Sequence, residues 1–220
     1  MTFLEQQTEV GDLLNMTISA NSTVDTTQVK RDLNTARDLV FNKLLSLGQD
    51  YNSRLAKADL VANQSLYGLP SDCRKLKRLE IGYESSTQRR KARRIDENAV
   101  GNPDSTVFTT AEPVYYLRGN NFEIQPTPTV NVTNGIWLLY IEDLADMSGD
   151  TDTSGIPIDY DSLLVYYATA KGKMTLGLHN EAANYMALFK GGLNDMEDEI
   201  IDRNIDDNSM IIVREGYGGM

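Results

Sequence analysis

The spacing of apolar residues changes twice along this chain, and each change limits what it can fold into. Val29, Leu33, Ala36, Val40, Leu44 and Leu47 recur every three or four residues, the period that puts one stripe on one side of an α-helix. After Pro70 the apolar residues fall into alternation, or into short runs between turn formers, as half-buried strands require. From Asp161 the helical period returns: Leu164, Tyr167, Ala168, Lys171 and Thr175 form one set of neighbours, with Leu163, Tyr166, Ala170 and Met174 beside them. Helix, strand, helix in this order predicts an α+β chain: a helical bundle body made of two separate stretches, an inserted antiparallel β region and an extended C-terminal tail.

Local signals set the expected boundaries. Residues 1–62 form the first half of the helical body, 63–150 the β-rich insertion, 151–204 the second half and 205–220 a C-terminal arm. Thr2 followed by Glu5 is a capping box that opens a helix over residues 3–14, and Asp25 with Gln28 opens a second that Gly48 stops. Leu76 to Tyr83 is a candidate strand. Two Gly/Asn turns, in YYLRGNNFEI (115–124) and TVNVTNGIWLLYI (129–141), predict two hairpins within a meander of about five strands. Near the end, Asn180 marks a break, after which Ala183, Met186, Ala187, Leu193, Met196 and Ile200 describe a last helix, weakened around Gly191 and Gly192.

Composition excludes several classes. Hydrophobic content of 40% and charged content of 24% do not describe a disordered, collagen-like or membrane-spanning chain, and no apolar run reaches membrane-span length. Acidic residues in MTFLEQQTEVGDLLNM stand where a secretory signal needs basic ones, so the chain is expected to be made and kept in the cytosol. The four N-x-S/T sequons, at Asn15, Asn21, Asn63 and Asn131, then carry no meaning, and the lone Cys73 is expected to be an inert small residue.

A net charge of −11 disfavours nucleic-acid binding by the chain as a whole, but the charge is unevenly placed. Between Arg74 and Arg94 nine bases face two acids, whereas between Glu142 and Asp161 there are seven acids and no base. Such opposed blocks suit pairing within or between subunits.

No constellation of catalytic residues survives inspection. AKGKMTLG, around Lys173, lacks the glycine that a phosphate loop needs five residues before its Gly-Lys pair, and Tyr167 stands there. His179, the single histidine, has no second histidine or cysteine cluster to complete a zinc site and no nucleophile motif to serve. In DTDTSGIPIDYD, Asp150, Asp152, Ser154, Gly155 and Asp161 fall on EF-hand positions, but Pro157 interrupts the loop and an aspartate replaces the bidentate glutamate. The simpler reading is a polar loop ending in Asp159 as a helix N-cap, so neither catalysis, a metal nor a cofactor is expected.

Taken together, TFLEQQTEVGDLL with VKRDLNTARDLVFNKLL, YGLPSDCRKLKRLEIGY, YYLRGNNFEIQPTP and IPIDYDSLLVYYATAKGKMTLG, in this order, resemble the head-to-tail adaptor (connector) proteins of tailed bacteriophages. The resemblance covers most of residues 2–200. It implies a structural protein of the virion's head–tail junction: a ring, usually of twelve copies, docked beneath the portal protein, with tail or nozzle proteins below and genomic DNA passing through the channel. RRKARR, at 89–94, is longer and more basic than the family leads one to expect, and the resemblance gives the Gly-Tyr-Gly-Gly-Met end no meaning.

Three sets of residues then become candidates. Asp195, Glu197, Asp198, Glu199 and Asp202 of the last helix are expected at the channel, where carboxylates repel phosphate. Met210, Ile211, Ile212 and Val213, of strong β propensity, are expected to order on the portal or a neighbouring subunit. Arg89, Arg90, Lys91, Arg93 and Arg94 form a basic loop, read as the mobile tip of the β excursion. Two other roles remain open: a nucleic-acid-binding accessory protein using residues 74–94, and another virion component such as a tail terminator, baseplate or capsid-decorating subunit.

Overall fold

The computed structural model describes residues 1–48, 52–99 and 108–214, the last twelve of these by their backbone. The chain divides into two compact units, one built from Met1–Tyr51 and Leu144–Met220 and the other from Asn52–Asp143. The insertion therefore spans 52–143 rather than the expected 63–150.

Among its described residues the first unit holds four α-helices: α1 (Phe3–Leu14), α2 (Thr26–Ser46), α3 (Asp161–Thr175) and α4 (His179–Arg214). The capping box at the start of α1 is complete, with Thr2 Oγ1 accepting from Glu5 N and Glu5 Oε2 accepting from Thr2 N. Asp25 caps α2 by accepting from Gln28 N at 2.7 Å, but the Gln28 amide turns away to Thr175 Oγ1 instead of closing a second box. The stripe of α2 is buried as its period requires. Helix α3 packs on α1, α2 and α4, and Leu163, Leu164, Val165, Ala168, Thr169 and Ala170 are all buried along it. Such all-round burial explains why two neighbouring apolar sets share its sequence.

Several expectations change here. Asp159 is not the N-cap of α3; a 3₁₀ turn, Ile158–Tyr160, leads into the helix, and Asp161 instead takes the Met1 ammonium group and Ser154 Oγ, each at 2.6 Å. The buried face of α4 runs through Ala182, Phe189, Met196 and Ile200, leaving Ala183 and Ala187 exposed. Gly192 does not weaken this helix but lets it approach α3, since a Cβ there would lie 2.3 Å from Leu163 Cδ2. Residues 205–214 are not an extended arm; they continue α4. With neither glycine nor proline between Leu193 and Glu215, the segment extends a helix that is already nucleated, each residue closing one more backbone hydrogen bond, and this outweighs the β propensity of Met210–Val213. Residues 215–220 lie outside the described residues.

Among its described residues the second unit holds eight strands rather than five: β1 (Ser53–Leu60), β2 (Leu66–Gly68), β3 (Cys73–Ile81), β4 (Arg90–Lys91), β5 (Arg93–Arg94), β6 (Val114–Arg118), β7 (Asn121–Gln125) and β8 (Val132–Glu142). They form two sheets, ordered β1-β8-β3-β4 and β2-β7-β6-β5. One core joins the sheets: Leu60, Leu79, Ile81, Ile136 and Leu138 from the first pack with Tyr67, Tyr115, Phe122 and Ile124 from the second. Tyr67 and Phe122 stack with ring centroids 5.7 Å apart.

The first expected hairpin is present as β6–β7, turning at Gly119 with φ +59°. The second is not. Asn134 and Gly135 lie inside β8, where the register slips so that Ala58 faces Ile136 while Leu60 faces Val132. A left-handed Asn (φ +53°) followed by Gly suits a bulge as well as a turn, and Gly135 is required because a Cβ there would meet Leu60 Cβ at 2.8 Å.

Candidate interaction surfaces

RRKARR is not a free tip. Arg90–Lys91 pair antiparallel with β3, Arg93–Arg94 pair parallel with β6, and between them Ala92 is buried. Ala92 N donates to Leu79 O at 2.8 Å in one sheet and Arg93 N to Pro113 O at 2.9 Å beside the other, so this segment stitches the sheets together. A small buried residue flanked by bases is what such a crossing needs: the methyl enters the core while the long cations reach water.

The bases divide into two groups. Arg89 donates to Glu80 at 3.2 Å and lies over Trp137, 3.6 Å from the ring centroid, with Lys57 on the same ring at 4.2 Å. Arg89 is thus committed to holding its own unit together. Lys91, Arg93 and Arg94 are exposed, make no ion pair with a described side chain, and join Lys77, Arg78 and Tyr115 around a cleft of about 440 Å³. Arg90 is exposed beside a second cleft with Arg89 and Glu84. Sequence reasoning counted Lys77 and Arg78 in the basic block without bringing them to this place; the signal was the buried Ala92, which fixes both strands against β3 and β6.

The acids of α4 also divide. Glu197 takes Lys43 Nζ at 2.6 Å and Glu199 takes the Tyr160 hydroxyl at 3.1 Å, both within the helical unit. Asp195, Asp198 and Asp202 are exposed, without an ion pair to a described side chain. Their spacing of three and four aligns them on one stripe, opposite the face that buries Met196 and Ile200. Met210–Val213 stand in the last turns of the same helix. Charge follows the division of the chain: Asn52–Asp143 holds twelve basic and eleven acidic residues, a net +1, which leaves −12 on the helical unit.

The acidic loop before α3 has a structural role. Asp152 Oδ2 accepts from Ser148 N and Gly149 N, each at 2.8 Å, and these bonds hold its carboxyl below the usual range. Phe3 N and Leu4 N donate to Asp152 O and Asp150 O, which fastens the loop to α1. Asp161 is engaged by Met1 and Ser154, and Asp152 by the backbone of its own loop. Among the described residues, no group of three metal-ligating side chains occurs, and no helix is long and apolar enough to cross a membrane. His179 stands exposed at the start of α4, Lys173 is inside α3 and paired to Glu181 at 2.7 Å, and burial, aided by the Asp72 carboxylate, pushes the Cys73 thiol up.

A family model described as SU10 adaptor protein matches residues 1–212. The chain belongs to this adaptor family. No curated protein matches it. The match runs across both helical stretches and the whole insertion, so the adaptor assignment applies to the two units together. As a member of a phage head-to-tail adaptor family this chain is a structural protein of the adaptor kind.

Proposed function

We propose that this adaptor assembles with copies of itself into a ring, on the order of twelve, at the head–tail junction of the virion. The ring docks beneath the portal protein, receives tail or nozzle proteins on its other side, and lets genomic DNA pass without sequence-specific binding. The observation that carries this reading is the family match over residues 1–212, and the exposed stripe of Asp195, Asp198 and Asp202 agrees with it. Facing the channel, the stripe repels phosphate and keeps DNA sliding, whereas a basic wall would retain it. The last turns of α4, with Met210, Ile211, Ile212 and Val213, supply contacts to the portal or to a neighbouring subunit.

Native mass spectrometry of the purified adaptor, alone and with purified portal, tests the proposal. A complex of one portal with about twelve adaptors is the expected result, and deleting residues 205–220 is expected to weaken that complex while leaving the rest of the fold intact. An adaptor that stays monomeric in the presence of portal contradicts it.

A further inference from the structure

The geometry points to the cleft between Lys91–Arg94 and β3 as a binding site for the phosphodiester backbone of nucleic acid. Five cations, Lys77, Arg78, Lys91, Arg93 and Arg94, surround about 440 Å³, and no carboxylate lines it. Arg78 is offset by Glu80 at 3.0 Å, but Lys91, Arg93 and Arg94 have no ion pair with a described side chain. Like charges gathered around one concavity raise each other's energy, and the cleft walls focus the resulting field on whatever anion enters. This happens in a chain whose net charge is −11, so bulk attraction to nucleic acid does not explain the cluster.

The number of cations selects the anion. A lone carboxylate side chain neutralises one of the five and leaves the rest uncompensated. A phosphodiester strand is narrow, brings one charge per nucleotide, and offers oxygens that match the forked donors of Arg78, Arg93 and Arg94. Tyr115, the aromatic residue at the cleft, is only 6% exposed and gives no stacking platform, so the contact reads the backbone and not the bases. The site is fixed by strand pairing on both sides of Ala92 and is therefore preformed.

This inference goes beyond the ring reading and does not depend on it. The test is fluorescence anisotropy of the full-length adaptor with a labelled mixed-sequence DNA duplex, in salt from 50 to 200 mM, with the mass of the protein read on the same samples. The expected result is sequence-independent binding whose logarithm falls with the logarithm of salt at a slope of about −3 to −4, as three or four phosphate contacts require. K91Q/R93Q/R94Q is expected to lower affinity at least tenfold and flatten that slope, K91R/R93K/R94K to keep the slope, and Lys190→Gln, on the other unit, to change neither. All three cleft side chains are exposed, and circular dichroism checks that the variants fold. Absence of binding at low salt, or equal affinity of the glutamine variant, overturns the proposal. So does a glutamine variant that changes the oligomeric mass but not the affinity, because the cleft would then serve another copy's carboxylates. A monomeric mass with intact DNA binding would instead count against the ring alone.

Discussion

Arg37, 1% exposed on α2, donates from Nη1 to the carbonyl oxygen of Ala145 at 2.5 Å. Its Nη2 reaches Leu144 O at 3.3 Å and the carboxylates of Asp38 and Asp146, so one guanidinium fixes the chain where it re-enters the helical unit. Asn34 adds a reciprocal pair with the backbone of Met147, at 2.9 and 3.0 Å. Replacing Arg37 by methionine keeps much of its volume but removes the donors that hold the 144–146 segment, and should lower stability by about 1–3 kcal/mol. Chemical denaturation measures this. Arg37→Lys should recover only part of the loss, because a single ammonium group does not span all four acceptors.

Asp32 supplies a pH-dependent prediction. Burial, the dominant cause, raises its carboxyl above 3.8, with Arg31 opposing. A folded-state value above the unfolded one means that the native protein holds the proton more tightly. Stability contributed by this group is therefore present at low pH and lost as pH rises through the raised value. Asp32→Asn should melt at a higher temperature than the parent at pH 7, and the difference should vanish near pH 3.5, below the unfolded value. An equal difference at both pH values would show that charge is not the cause.

Glycine substitutions separate backbone freedom from close packing. A Cβ at Gly191 meets nothing within 4 Å, so Gly191→Ala should stabilise α4 by about 0.5–1 kcal/mol. At Gly82 a Cβ would lie 2.2 Å from the backbone oxygen of Ser85, and Gly82→Ala should cost about 1–3 kcal/mol. Gly192→Ala should fall between them, because the atom it meets is the end of the Leu163 side chain. Thermal melts of the three variants give the order directly.

The C-terminal helix makes a spectroscopic prediction. Ending the chain at Asn204 removes the last turns of α4 and should reduce the helical circular dichroism signal accordingly. An unchanged signal would show that this segment is not helical in solution.

What the sequence disclosed depended on whether one physical signal acted alone. The α2 stripe, the Thr2–Glu5 box and the Gly119 turn were legible because period, capping and positive φ each pointed one way. Strand β1 was not, since SRLAKADL alternates charge with small residues and buries only Leu60, as an edge strand does. Asn134-Gly135 failed as a turn because the same dihedral preference builds a bulge, and only pairing with β1 decides between them. For the candidate surfaces, sequence supplied the charges but not their sorting. Nothing local marks Arg89 as stacked on Trp137 or Glu197 as paired to Lys43, because those partners are distant in the chain.

The ring is tested most directly by a cryo-electron microscopy reconstruction of the virion's head–tail junction. The account predicts a closed ring of this adaptor beneath the portal, with Asp195, Asp198 and Asp202 on the bore. An adaptor absent from the junction, or one whose α4 carboxylates lie on the outer circumference, would contradict it.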